Sequence, residues 1–247
     1  MKKQFQILAA TFIMVAFISC SKEKIEMHEE LSTTSEEIAT SSSSERPYVD
    51  PLSIKLEGWF TFNATLKDQT KKLSNGISSK RLASFTYDRD GIANAALKLD
   101  STYFLKLSKV PQQTNTSISV WMKYGNEVPY NAFIRPVVAG AGFAQYPSKN
   151  ISAQVHTPFT HSAGSTDLNN SWHHLVITYD GTTIRLYVDG SLNASALHSA
   201  PGPFGPLLTD YIIGMHNNGT FWRGYIDDLR FYSRTLSASD VQLLYNL

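Results

Sequence analysis

The sequence predicts an all-β protein closed by one short C-terminal helix, and three observations carry that prediction. Short β-favouring runs alternate with turn clusters from Leu56 onward. Helical periodicity is nearly absent before residue 237. Asp-Gly steps, which supply positive φ at low steric cost, stand at 180–181 and 189–190, where hairpins would turn. A chain of 247 residues with 42% hydrophobic and 12% aromatic content can bury such a core as one domain.

The N-terminus is a targeting segment. Lys2 and Lys3 precede a mostly apolar stretch from Ile7 to Ile18, and Cys20 follows. Twelve residues are too few to span a bilayer, which takes about 20, so residues 1–20 read as an export signal. The stretch from Phe17 to Cys20, "FISC", resembles the lipobox of bacterial lipoproteins, whose Cys becomes the lipidated first residue. That resemblance implies a lipid anchor at Cys20, residence in the bacterial cell envelope at the outer membrane or cell surface, and membrane contact through the anchor only. Cys20 is the only cysteine, so the exported part has no disulfide and depends on packing.

Residues 21–47 hold seven Glu against three Lys or Arg, and nine of the thirteen positions 32–44 are Ser or Thr. Too little apolar surface is present there to offset chain entropy, and the segment reads as a disordered tether. Residues 48–247 form the expected folded domain. The formal net charge of +1 and the lack of a Lys/Arg cluster argue against nucleic acid as a partner.

Within the domain the β runs are "LEGWFTF" from Leu56, "ALKLDSTYFLKL" from Ala96, "SISVWMKY" from Ser117, "AFIRPVVAG" from Ala132, a hairpin over 172–190, and "DYIIG" from Asp210. In the second strand of the hairpin Ile184, Leu186 and Val188 share one face, expected to be core. Arg185 and Tyr187 lie on the face expected to be outward. Gly140-Ala141-Gly142 is read as a turn. The helix starts where Ser237 and Asp240 form a capping box and Leu236 with Val241 a hydrophobic staple. The stripe Val241, Leu244 and Tyr245 should dock it on the β domain.

Taken together, "LEGWFTFNATLKDQT", "ALKLDSTYFLKL", "SISVWMKY", "SWHHLVITYDGTTIRLYVDG" and "GYIDDLRFYSRTLSASDVQLLYN" resemble the laminin-G-like domains of the concanavalin A-like lectin and glucanase superfamily. The resemblance implies a two-sheet antiparallel jelly-roll sandwich with a short C-terminal helix. It also implies a carbohydrate- or protein-binding module, and sometimes an enzyme. Asp100-Ser101 stands where the family commonly has Asp-Gly, and residues 129–165 match poorly, so loops particular to this chain are expected there. Many members hold a structural Ca²⁺ with the Asp of the last-strand motif. That implies Asp227 as a metal ligand, with Asn63 or Asp68 contributing from the opening segment. The alternative for Asp227 is a pairing with Arg or a turn cap.

A catalytic reading meets obstacles. If 222–234 is extended, Asp227 and Asp228 face opposite sides and are no catalytic pair. Glycosidic hydrolysis needs two carboxylates facing each other about 5 to 9.5 Å apart, and no Glu-x-Asp-x-Glu run is present. No G-x-S-x-G, H-E-x-x-H or P-loop motif occurs. His173 and His174, as strand neighbours, point to opposite sides and do not share a metal. Sugar recognition needs aromatic faces beside polar donors, which "GMHNNGTFWRG" offers as Trp222 with His216 and Asn217. The reading is therefore a non-catalytic binding module for a glycan or glycoprotein. A glycoside hydrolase with unrecognised acidic residues and a structural or adhesion protein stand as alternatives.

Overall fold

The computed structural model describes residues 49–80, 82–125, 131–146, 150–157, 159–168, 170–198, 207–216 and 219–247. The expected signal, the tether and Cys20 lie outside them, as does Asn217. Among the described residues the chain forms β1 (Leu56–Phe60), β2 (Ile77–Ser78), β3 (Ser84–Thr86), β4 (Ala96–Asp100), β5 (Leu105–Gln112), β6 (Thr116–Tyr124), β7 (Asn131–Pro136) and β8 (Gly140–Gln145). It continues with β9 (Asn150–Thr157), β10 (Phe159–Asp167), β11 (His173–Tyr179), β12 (Thr183–Val188), β13 (Ser191–Leu197), β14 (Leu207–Ile213), β15 (Arg223–Tyr232) and helix α1 (Ala238–Tyr245). No helix among the described residues is long and apolar enough to cross a membrane.

Two antiparallel sheets result. One has eight strands in the order β13-β12-β11-β6-β15-β4-β3, with β1 also pairing β15, and the other has seven in the order β10-β9-β8-β7-β14-β5-β2. Alternation puts Ile118, Val120 and Met122 of β6, Leu175 and Ile177 of β11, and Ile184 and Leu186 of β12 into the core between the sheets. They meet Phe133, Phe143, Ala153, Val155 and Tyr211 from the facing sheet. This is the two-sheet jelly roll expected from the sequence.

The hairpin forms where the Asp-Gly steps stand. Asp180 accepts from the backbone N–H of Thr182 and Thr183, and Gly181, Asp189 and Gly190 all take positive φ. Tyr187, expected outward, is instead buried beside Val176 and Tyr232 under α1, whose Val241 and Leu244 cover the back of the eight-stranded sheet. The capping box between Ser237 and Asp240 forms as expected.

Two segments depart from their sequence reading. "ALKLDSTYFLKL" is divided between sheets, as β4 and β5, and Ser101 takes a φ of 69° at the crossing. Residues 129–165, where loops particular to this chain are expected around the β run "AFIRPVVAG", supply strands β7 to β10, more than half of the seven-stranded sheet; β7 falls on that run and β8 to β10 stand where loops were expected. In β9 the apolar signal is diluted because Ser152 and Gln154 are buried on one face while Ile151, Ala153 and Val155 fill the other. Gly140 and Gly142 belong to β8 rather than to a turn. A Cβ on Gly142 would lie 2.5 Å from the Ile134 carbonyl oxygen, so the residue must be small for β7 and β8 to approach.

Candidate functional site

The site lies on the outer face of the eight-stranded sheet and begins with a defect in β15. Residues 223–226 of β15 pair with β4, and residues 229–232 pair with β1. Between these partners the register against β6 shifts from Asp227 to Arg230, and Asp228 takes a φ of 49°. This is a β-bulge: one extra residue lets Ile226 and Leu229 both return to the core while Asp227 and Asp228 line the same cavity. The expectation that the two carboxylates point apart fails, because the strand is not extended at 228.

The cavity, about 640 Å³, is also lined by Trp59, Asn63, Asp88, Arg89 and Arg230. Arg89 Nη1 donates to Asp227 Oδ2 at 2.5 Å. Asp228 accepts from Trp59 Nε1 and, at 3.2 and 3.0 Å, from Arg230 Nε and Nη2. Each guanidinium also stacks on an indole, Arg89 over Trp121 at 4.9 Å and Arg230 over Trp59 at 4.6 Å. Burial pushes the Asp227 carboxyl up to about 7, with Asp228 adding to the rise and Arg89 opposing it. Beside this network His174 is buried, its Nε2 2.9 Å from Ser119 Oγ, and burial brings its pKa down to about 4. The arrangement neutralises charge in place, and both carboxylates are occupied by arginines.

The same residues test the expected calcium site. Asp227 already faces an arginine at 2.5 Å. Asp68 lies outside the cavity and closes its own turn, accepting from the N–H of Trp59, Thr70, Lys72 and Leu73 and from Thr70 Oγ1. Asn63 is exposed at the cavity rim. Among the described residues no three His, Cys, Asp or Glu side chains are grouped for a metal. The set Asp227, Asn63 and Asp68 does not fit Ca²⁺, which takes six to eight oxygen ligands.

Two residues before Asp227 on the same strand face, the surface opens. Tyr225 stands directly opposite Lys98 of β4 and Lys123 of β6. Trp172, preceding β11, lies 6.4 Å from Tyr225 between ring centroids. With Tyr87, Asp88 and Asn170, the residues Lys123, Trp172 and Tyr225 wall a depression of about 480 Å³. Tyr225 also walls a second depression with Lys98, Asp100 and Arg223. Tyr87 is 65% exposed, and Trp172 and Tyr225 are half-buried. Aromatic faces beside polar side chains in a shallow cleft can stack on a sugar ring and hydrogen-bond its hydroxyls.

The aromatic chosen from the sequence is not at this cleft. Trp222 is 0% exposed, its ring stacks on Phe133 at 5.0 Å, and its Nε1 donates to Gln145 Oε1 at 2.6 Å. It is a core residue and offers no face to a ligand. A Cβ on Gly224 would lie 2.1 Å from its ring, so the glycine makes room for it. His216 begins a turn closed by its N–H to the Thr220 carbonyl and does not wall the depression formed by Trp172 and Tyr225. His173 Nδ1 donates to Asp189 Oδ2 at 2.8 Å.

The convergence of Asp227 and Asp228 had a signal in the sequence. The apolar positions Ile226, Leu229 and Phe231 are spaced by three and then two, which marks an inserted residue. The Lys98-Tyr225-Lys123 row had none, because it depends on which distant strands become neighbours.

Two antiparallel sheets with a cleft on one outer face define the chain as a jelly-roll sandwich. A family model described as the concanavalin A-like lectin/glucanases superfamily, laminin G type, matches residues 98–242, and the chain belongs to that family. Among solved structures it is similar to domain 4 of an extracellular GH43 arabinanase from Geobacillus stearothermophilus, in complex with arabinotriose. That match has a TM-score of 0.66 and 19% identity and covers 77% of this chain and 98% of that one. It is also similar to the ligand binding domain of botulinum neurotoxin serotype D, in complex with N-acetylneuraminic acid, with a TM-score of 0.60, 17% identity and 78% coverage of this chain. The match spans 50% of the neurotoxin domain. No curated protein sequence matches the chain.

Proposed function

We propose that residues 48–247 are a carbohydrate-binding module that holds its ligand without cleaving it. The observation that carries this reading is the Trp172–Tyr225 pair, two half-buried rings 6.4 Å apart that wall a cleft with Asn170 and Tyr87. The arabinotriose and N-acetylneuraminic acid in the similar structures support it. The pairing of Asp227 and Asp228 with arginines weighs against hydrolysis at the neighbouring cavity. A glycan array probed with the purified chain is expected to give binding that Trp172→Ala weakens by about 1 to 3 kcal/mol with the fold intact. Incubation with the bound polysaccharide is expected to release no reducing ends. Reducing ends that disappear on Asp227→Asn would replace this reading with a hydrolase.

The proposal extends to location. The paired lysines, apolar stretch and Cys20 support a lipid-anchored protein of the bacterial cell envelope. Cys20→Ser is expected to release the protein from the membrane fraction and abolish fatty-acid labelling, and unchanged fractionation and labelling would overturn the anchor.

A further inference from the structure

Among the described residues Lys98 and Lys123 are charges without counter-charges. They flank Tyr225 on one face of three adjacent strands, each directly opposite it. Neighbouring strands lie about 4.8 Å apart, which places the two lysine backbones roughly 10 Å from each other. Both four-carbon stems can then bring their amines over the same ring. Among the described residues no carboxylate forms a salt bridge with either lysine, nor with Lys55, Lys67, Lys71, Lys80 or Lys109, so it is their position astride Tyr225 that distinguishes the two.

The acidic side chains nearest the row are committed to their own turns. Asp88 Oδ1 accepts from the N–H of Asp90 and Ile92. Asp100 Oδ1 accepts from the N–H and hydroxyl of Thr102, which holds its carboxyl below the usual range. Arg223, beyond Tyr225 in the same depression, spends its Nε on Ser101 Oγ at 2.6 Å.

From this row we infer that the ligand is an acidic saccharide, whose carboxylate or sulfate sits between Lys98 and Lys123 while a sugar ring lies on Tyr225 and Trp172. The inference rests on the carbohydrate-binding reading and adds the charge of the ligand to it. Stacking selects a ring of any charge, whereas two unpaired ammonium groups astride the platform select an anion. A neutral sugar takes only ordinary hydrogen bonds from them, whereas an anion takes charge-assisted ones.

The test uses the purified full chain on an array of neutral, uronate-bearing and sulfated glycans. It is followed by calorimetric titration with an oligogalacturonate, its methyl ester and a sulfated oligosaccharide. The expected result is binding to the uronate or the sulfated probe, at least tenfold weaker binding to the neutral counterpart, and a decline as salt is raised. Lys98→Met and Lys123→Met are each expected to weaken binding of the acidic probe about tenfold without moving the melting temperature. The uronate and sulfated arms tell which anion is preferred. Equal affinity for neutral and acidic probes, or no loss in the two lysine variants, would overturn the inference and leave the carbohydrate reading standing. No binding to any glycan would overturn both.

Discussion

Tyr225 and Asp227 are two residues apart on one face of β15, and their surroundings are opposites. Around Asp227 the buried charges are paired: Arg89 on Asp227, Arg230 and the Trp59 N–H on Asp228, and an indole under each guanidinium. Around Tyr225 the rings are half open, and Lys98 and Lys123 have no acidic partner among the described residues. The bulge at Asp228 makes the difference. It lies where β4 ends and β1 begins as partners of β15, so buried side chains must close the gap that the backbone leaves. Charges that face one another inside such a gap hold the frame, and charges left facing solvent beside aromatic rings remain available to a ligand.

The largest way to break the comparison is to orphan one member of the paired half. Asp228→Ala leaves Arg230 buried without its carboxylate and the Trp59 N–H without an acceptor. A loss of about 3 to 5 kcal/mol is expected in urea unfolding. Lys123→Ala, two strand positions away on β6 from the residue opposite Asp227, should change stability by no more than about 0.5 kcal/mol. The tryptophans sharpen the same contrast. Trp222→Ala should cost about 3 to 5 kcal/mol of stability, since it empties the core beside Phe133 and orphans Gln145, while glycan affinity per folded molecule stays unchanged. Trp172→Ala should do the reverse.

A smaller effect appears in the pH profile. The Asp227 carboxyl is raised in the folded state from 3.8 to about 7. Its contribution is therefore fully present below about pH 4 and is lost as pH rises through 7. His174 is lowered from 6.5 to about 4, so its contribution is present above pH 6.5 and is lost as pH falls through 4. The two slopes oppose each other between pH 4 and 6.5. Asp227→Asn removes one of them, and its stability, followed by urea unfolding across that window, should fall more steeply on acidification than that of the unsubstituted chain. Parallel profiles would show that Asp227 does not titrate there.

Much of this frame was legible in the sequence, and the reason differs by element. The hairpin over 172–190 and α1 are written locally, in Asp-Gly steps and in the Ser237–Asp240 box. Strand β9 was hidden because Ser152 and Gln154 are polar yet buried, so period-two hydrophobicity carries half its usual contrast there. Trp222 was misread because an indole in a polar, glycine-rich segment has the composition of an exposed loop. Only the space left by Gly224 and the acceptor on Gln145 show that the ring turns inward. The cleft itself was illegible for a topological reason: Lys98, Lys123, Trp172 and Tyr225 come from four stretches of chain that only the sheet order brings together.

The division between a paired frame and an unpaired site is tested most directly by thermal unfolding of the Lys98→Met/Lys123→Met double variant beside the unsubstituted chain, with and without an excess of acidic oligosaccharide. Without ligand the two should melt within about 2 °C of each other, as expected for surface positions in a domain of this size. With ligand only the unsubstituted chain should rise, by the stabilisation that selective binding to the folded state confers. A double variant that melts about 6 °C or more below the unsubstituted chain without ligand would make the lysines part of the frame. One that rises as much on adding the saccharide would place the binding elsewhere. Either result would contradict the account.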